Sequence, residues 1–121
     1  MKNQQALNKK FRKELSSGSV ALVLLSILVR SEEPLYGYQI GKLVGAGEED
    51  GIMVKQGAIY PVLRSLESSG LLSSRKEAST SGPPRRYYSA TDQGREILKN
   101  WRTIWEQNKI FIDHVLEGEI K

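Results

Sequence analysis

Cysteine is the first residue type that this chain of 121 residues lacks. Its absence excludes a disulfide framework and any metal site built from thiolate ligands. The single histidine, His114, stands near the C-terminus without clustered carboxylates around it. Neither a metal site nor a histidine-based catalytic triad is expected from this composition. We therefore predict no metal, no cofactor and no enzymatic activity.

Long apolar runs are also missing. The longest begins at Val20, is interrupted at Ser26 and ends at Val29, whereas a membrane-spanning helix needs about 20 apolar residues. The first residues, MKNQQALNKKF, lack the apolar centre of a signal peptide. The sequence predicts a cytoplasmic protein of one domain that does not contact a membrane.

The formal net charge is +4, and it is unevenly distributed. Residues 1–30 carry six basic and one acidic side chain, residues 31–54 one and five, and residues 55–90 six and two. Two basic blocks therefore flank an acidic, glycine-containing loop at residues 45–51. A basic face is typical of nucleic-acid binding, although the net charge alone also fits an ordinary solvated surface.

The second basic block contains an ordered series of patterns. Apolar residues recur at helical spacing between positions 56 and 69, at Ile59, Val62, Leu63 and Leu66. Gly70 is placed to end this helix with a positive φ. The helix is followed by a polar strand at 73–77, a tip of Ser, Thr, Gly and Pro at 79–84, and a returning strand at 85–90. Helix, strand, loop and strand in this order predict a winged helix.

Further helices are expected on both sides of this unit. Residues 1–16 form an amphipathic helix with a basic outer face, with a frayed tail as the alternative for the first few residues. Ser16 or Ser17 caps a second, nearly all-apolar helix that ends near Arg30. A third helix begins at Tyr36, and the last runs from its cap, Thr91, to about Leu116.

The last helix carries more apolar residues than so small a domain needs for its own core. One stripe follows a strict heptad spacing and consists of Ile97, Trp101, Ile104, Asn108, Phe111 and Val115. Leu98, Trp105 and Ile112 form a second stripe beside it. We predict that one stripe packs on the domain and the other on a second copy of the chain; the alternative is that both wrap the same domain. The predicted dimerisation residues are Leu7, Phe11, Ile97, Trp101, Ile104, Asn108, Phe111 and Val115.

Several motifs occur together in this chain. They are PLYGYQI at 34–40, GAIYPVL at 57–63, the Leu-Glu pair at 66–67, the Gly-Leu pair at 70–71, GPPRRYY at 82–88, and then Thr91, Gly94 and Leu98. As a set they are similar to the motifs of the PadR family of transcriptional regulators. The helix predicted at positions 56–69 corresponds to the recognition helix of the family. It departs from the family pattern at its start, where members often have Ser-Pro. This chain has Lys55 and Gln56 there, so the cap of the helix is not given by the sequence.

The resemblance implies a mainly α fold with a small two-stranded β-wing. Residues 1–16 would form the N-terminal helix, 17–90 the winged helix-turn-helix domain, and 91–121 the dimerisation helix. It also implies a homodimeric repressor that binds double-stranded DNA at an inverted repeat and that a small hydrophobic effector relieves. The alternative is a winged-helix protein–protein interaction module that does not bind DNA.

The DNA-binding residues are predicted from their position on the helix and wing. Gln56 and Ala58 are expected to read base edges, while Arg85 and Arg86 reach the backbone or the minor groove. For the two arginines, cross-strand pairing with Glu77 is the alternative. The full predicted set is Tyr36, Lys55, Gln56, Gly57, Ala58, Tyr60, Arg64, Arg85 and Arg86.

Trp101 and Trp105 lie within one turn of the last helix. Such a pair is commonly part of a core. In a dimer, however, an indole from each subunit could line an apolar slot for a flat aromatic effector.

Overall fold

The computed structural model describes residues 3–45 and 56–119. Lys55 and nearly all of the predicted acidic loop lie outside these ranges. The described elements follow one another along the chain as α1 (Asn3–Arg30), β1 (Leu35–Tyr36), α2 (Gly37–Leu43), α3 (Gln56–Ser68), β2 (Leu72–Ser79), β3 (Gly82–Ala90) and α4 (Asp92–Leu116). The predicted order from the helix near Tyr36 through the recognition helix and the wing to the long final helix is confirmed.

The N-terminal helix differs from its prediction. It is one continuous helix of 28 residues, so the break predicted at Ser16 or Ser17 is wrong. Serines need not cap a helix, because their hydroxyls can bond to a carbonyl one turn earlier. Ser19 does so, donating to the carbonyl of Leu15 at 2.9 Å. The second half of α1 enters the core, while Leu7, Phe11 and Leu15 in the first half are exposed.

The hydrophobic core lies where the second half of α1 meets α2, α3 and the base of the wing. Its buried members are Val20, Leu24, Leu25, Leu28, Ile40, Ile59, Leu63, Leu66, Leu71, Leu72 and Tyr88. Ile59, Leu63 and Leu66 come from the apolar face predicted for α3. The amphipathic pattern of α3 therefore fixes which face turns inward and leaves the opposite face outside.

The sheet has three strands rather than the predicted two. β3 lies in the middle, with β1 on one side and β2 on the other, and both pairings are antiparallel. Leu35 pairs with Tyr88 and Tyr36 with Tyr87. Two residues are too few to show a strand alternation, so the sequence pattern gave no indication of β1. Because β1 directly precedes α2, its pairing with β3 connects the start of α2 to the wing.

The wing tip is also tighter than predicted. β2 and β3 reach Ser79 and Gly82, which pair with each other, so the turn is only two residues long. Pro83 and Pro84 consequently belong to β3. They lie beside a register shift between Glu77 and Ser79. The regular hydrogen bonding between the strands is interrupted there, so the missing N–H groups of proline destabilise the sheet least.

The ends of α3 and α4 follow their predicted signals. Gly70 has a φ of 83°, and its N–H and that of Leu71 bond back to the carbonyls of Glu67 and Leu66 at 2.9 Å each. This is the double bond of a Schellman ending. Thr91 caps α4, its side chain accepting from the N–H of Gly94 at 3.0 Å. Within residues 3–45 and 56–119, no helix is long and apolar enough to cross a membrane.

Candidate nucleic-acid interface

The outer face of α3 presents the side chains that were predicted to meet DNA. Gly57, Ala58, Tyr60 and Arg64 are exposed, while the opposite face is buried in the core. Gln56 begins the helix, but its side chain lies outside the described residues. An α-helix with one buried and one free face has the shape that a major groove about 12 Å wide admits.

Tyr60 also has a structural task. Its ring and hydroxyl occupy the place where a side chain at Gly37 would begin. Gly37 is buried at the start of α2, so the absence of a Cβ lets α2 and α3 approach closely at this point. Tyr60 is therefore shared between helix packing and the exposed surface, where 41 % of it remains accessible.

The two wing arginines are held by different partners. The guanidinium of Arg85 lies over the ring of Tyr36, 4.5 Å from its centroid. Arg86 donates from Nη1 to the hydroxyl of Ser74 at 2.9 Å, and Ser74 donates in turn to the Glu67 carboxylate at 2.6 Å. Because Glu67 lies in the last turn of α3, this chain of bonds joins the wing to the recognition helix.

Glu77 does not hold either wing arginine in the described ion pairs. It is the register partner of Arg85, but its carboxylate accepts from Arg75 on its own strand at 2.9 Å. Arg85 and Arg86 thus keep the positive charge of the wing uncompensated by the acid that the sequence suggested.

A groove separates the wing from the helices. It has a volume of about 420 Å³, and Arg85, Arg86, Tyr36 and Tyr60 all contribute to its wall. The remaining lining residues are Gly37, Ser79, Ser81, Gly82, Pro83 and Pro84. Four of the predicted contact residues therefore surround one groove, with two cations and two phenols available to an anionic ligand.

Tyr88 lies under this surface and is only 1 % exposed. Burial raises the pKa of its phenol above the ordinary 10.0, and the Glu67 carboxylate acts in the same direction, while Arg86 and Arg64 oppose the shift. The phenol is consequently neutral around pH 7. Tyr88 packs the base of the wing onto the core rather than contributing charge to the surface.

Two residues outside the predicted set, Tyr38 and Lys42, continue from Tyr36 along α2. The ring of Tyr38 stacks on that of Tyr36, with centroids 6.5 Å apart and planes inclined by 20°. The ammonium of Lys42 lies 5.4 Å from the centroid of Tyr38. Their spacing of four residues on a helix is the one sequence signal that could have suggested this pair. Within residues 3–45 and 56–119, no three His, Cys, Asp or Glu side chains form a group that could hold a metal ion.

The predicted dimerisation residues divide along α4 rather than between its two stripes. Ile97, Leu98 and Trp101 pack against the core of their own chain. Further along, the apolar side chains are exposed, by 53 % at Ile104, 57 % at Phe111 and 42 % at Val115. Asn108 is exposed as well. On α1, Leu7 and Phe11 are exposed by 63 and 62 %.

Both indoles line one pocket within a single chain. It has a volume of about 300 Å³ and lies between α4 and the middle of α1. Trp101, Ile104, Trp105 and Asn108 form one wall, and the other consists of Gly18, Ala21 and Leu22. The predicted slot required an indole from each subunit, whereas this pocket already contains two from one.

The fold and the surface define a winged helix-turn-helix protein. Residues 24–100 match the model of the transcriptional regulator PadR-like family, and the chain belongs to that family. It is a transcriptional regulator by this membership, as the sequence motifs indicated.

Solved structures of similar transcriptional regulators share this architecture. A PadR family transcriptional regulator from Eggerthella lenta is 31 % identical, with a TM-score of 0.82 over 97 % of this chain and 98 % of that one. A PadR-like regulator from Bacillus cereus is 29 % identical, with a TM-score of 0.68 over 88 and 99 %. A transcriptional regulator from Clostridium thermocellum is 28 % identical, with a TM-score of 0.70 over 83 and 92 %.

Proposed function

We propose that this chain is a sequence-specific DNA-binding repressor that acts as a homodimer. The observation that carries the proposal is the common surface formed by the free face of α3 and the basic wing. The recognition helix has its outer side chains exposed, and Arg85 and Arg86 stand beside it across one groove. Base edges are read by a helix in the major groove, while arginines bind phosphates.

The proposed dimer follows from apolar surface that the chain does not cover itself. Phe111, Ile112, Val115 and Leu116 on α4 are between 42 and 79 % exposed. Leu7, Phe11 and Leu15 on α1 recur every four residues and are at least half exposed. Fully burying a side chain of this kind contributes about 1.5–3 kcal/mol. A second copy would cover both stripes, and its two-fold symmetry would require an inverted-repeat operator.

A small hydrophobic effector is proposed for the pocket beside Trp101 and Trp105. Its volume of about 300 Å³ is at the lower end of the range of ligand sites, about 300–1,000 Å³. An occupant would touch α1 and α4 together. Because those helices also carry the proposed dimer surface, the effector could alter how the two recognition helices are spaced.

Selection of bound duplexes from a random DNA pool tests the function directly. We expect an inverted repeat, whose half-site separation reports the distance between the two α3 helices. The same selection with Arg64→Glu and Arg85→Glu together should enrich no sequence. If the unaltered chain enriches none, the winged helix serves as a protein–protein interaction module instead.

A further inference from the structure

Four side chains form a continuous ladder along the edge of the molecule. Arg85 lies over Tyr36 at 4.5 Å, Tyr36 stacks on Tyr38 at 6.5 Å, and Lys42 approaches the Tyr38 ring at 5.4 Å. The ladder therefore has a cation at each end and two aromatic rings between them. It starts in the wing, crosses β1 and ends on α2.

The ladder is supported from beneath. Tyr87, the register partner of Tyr36, meets the Tyr36 ring edge to face, with centroids 5.3 Å apart and planes at 66°. The backbone N–H of Tyr36 also donates to the Gln39 side chain at 3.1 Å. Tyr36 is half-buried by these contacts, whereas Tyr38 is 59 % exposed. Arg85 and Lys42 therefore contact aromatic rings whose positions are set by the sheet and by α2.

Stacking leaves the hydrogen-bonding edge of a guanidinium free. A guanidinium face on an aromatic ring uses no N–H group, so the donors of Arg85 stay available for a bidentate bond to phosphate. The ammonium of Lys42 likewise retains its three donors. No carboxylate pairs with Arg85 or Lys42 among the described ion pairs, so both charges remain available to an external anion.

We propose that the Arg85–Tyr36–Tyr38–Lys42 ladder is a phosphate-binding edge that holds the DNA backbone beside the recognition helix. Arg85 and Lys42 contact phosphates, and Tyr36 and Tyr38 are positioning residues. Tyr36, predicted from sequence as a DNA-binding residue, acts here through Arg85. This inference rests on the proposed DNA binding, and it adds Lys42 as a contact residue and Tyr38 as a positioning residue.

The contact roles are tested by salt dependence on the selected duplex. Arg85→Gln and Lys42→Gln should each flatten the slope of log K against log salt by about 1 per subunit, with little change in preferred sequence. Lys99→Gln is the matched control, because Lys99 is an exposed cation on α4 away from the ladder. If the parent binds DNA and both ladder variants keep its slope, the ladder does not touch the backbone and the proposed function survives alone. If the parent binds no duplex, both fall.

The positioning roles are tested by a double-mutant cycle. Tyr36→Phe and Tyr38→Phe keep the rings and should bind DNA as the parent does. Tyr36→Leu should weaken binding by about two- to fivefold per half-site, the range of an exposed cation–π contact, and should cause no further loss in an Arg85→Gln background. Tyr38→Leu and Lys42→Gln form the corresponding cycle at an exposed position, which serves if Tyr36→Leu does not fold. Additive effects in both cycles would overturn the positioning roles.

Discussion

The hydroxyl of Thr91 donates to the backbone carbonyl of Gly70 at 2.7 Å while accepting from the N–H of Gly94 at 3.0 Å. One side chain therefore joins the end of the recognition helix to the start of α4. The backbone N–H of Thr91 adds a bond to the carbonyl of Leu71 at 3.1 Å. The position of α3 relative to the proposed dimerisation helix is fixed at this junction.

Thr91→Ala should destabilise the protein by about 1–2 kcal/mol, because it removes a helix cap and a second hydrogen bond together. Thr91→Ser should retain most of the stability, since it preserves the oxygen. Urea unfolding of both variants measures the difference at unchanged m-value. Equal losses for alanine and serine would mean that the threonine methyl, rather than the hydroxyl, matters.

Two glycines in helices should respond in opposite ways to the same substitution. A Cβ on Gly94 would collide with the backbone carbonyl of Leu71, whereas a Cβ on Gly18 meets nothing within 4 Å. Gly94→Ala should therefore lower the free energy of unfolding, although alanine is the better helix former. Gly18→Ala should raise it by up to about 1 kcal/mol. Thermal and urea unfolding compare them, and a stabilised Gly94→Ala variant would contradict the close packing.

Replacing Ile104 and Phe111 together with Glu should give monomers in sedimentation. Both side chains are more than half exposed on α4 and neither belongs to the buried core, so the charges should leave the chain folded. DNA affinity should fall in parallel, because a single half-site contact remains. Lys99→Glu with Thr103→Glu provides the control on the opposite helix face and should remain dimeric. A dimeric Ile104→Glu, Phe111→Glu variant would place the interface elsewhere, with Leu7 and Phe11 as the next residues to change.

Arg86→Ala and Gln56→Ala should affect DNA binding in different ways. Arg86→Ala should weaken all duplexes similarly and flatten the salt slope by about 1 per lost phosphate contact per subunit. Gln56→Ala should relax discrimination at one base pair of each half-site by about 1–3 kcal/mol.

Ser74→Ala is the informative companion to Arg86→Ala. It breaks the link from Arg86 to Glu67 without removing a charge, so it separates wing attachment from phosphate contact. An unchanged salt slope in Ser74→Ala is expected if Arg86 binds phosphate directly. If Gln56→Ala instead weakened every sequence equally, and Arg86→Ala changed the preferred sequence, the two roles would be reversed.

Planar hydrophobic compounds should quench the tryptophan fluorescence saturably. The two indoles line the same pocket as Gly18, and a larger side chain there would occupy it. Gly18→Leu should abolish saturable quenching while leaving both indoles in place. If a broad panel of compounds causes no saturable quenching in the parent chain, Trp101 and Trp105 are packing residues only.

The sequence by itself determined the local features of this protein. Residue-specific backbone preferences and helical periodicity are properties of neighbouring positions, so Gly70 as a helix ending, Thr91 as a cap and the buried face of α3 could all be predicted. The same holds for the surplus of apolar residues on α4, because a stripe is visible in the spacing alone.

Only the tertiary structure decided which distant side chains meet. The pairing of Tyr36 with Tyr87 joins two residues that are far apart along the chain. It involves a strand of two residues, which is too short to leave a periodic signal in the sequence. The same pairing brings Arg85 onto the ring of Tyr36, while Glu77 forms an ion pair with Arg75. Such choices depend on the direction in which each strand face points after the sheet forms, and a one-residue change in register would reverse them.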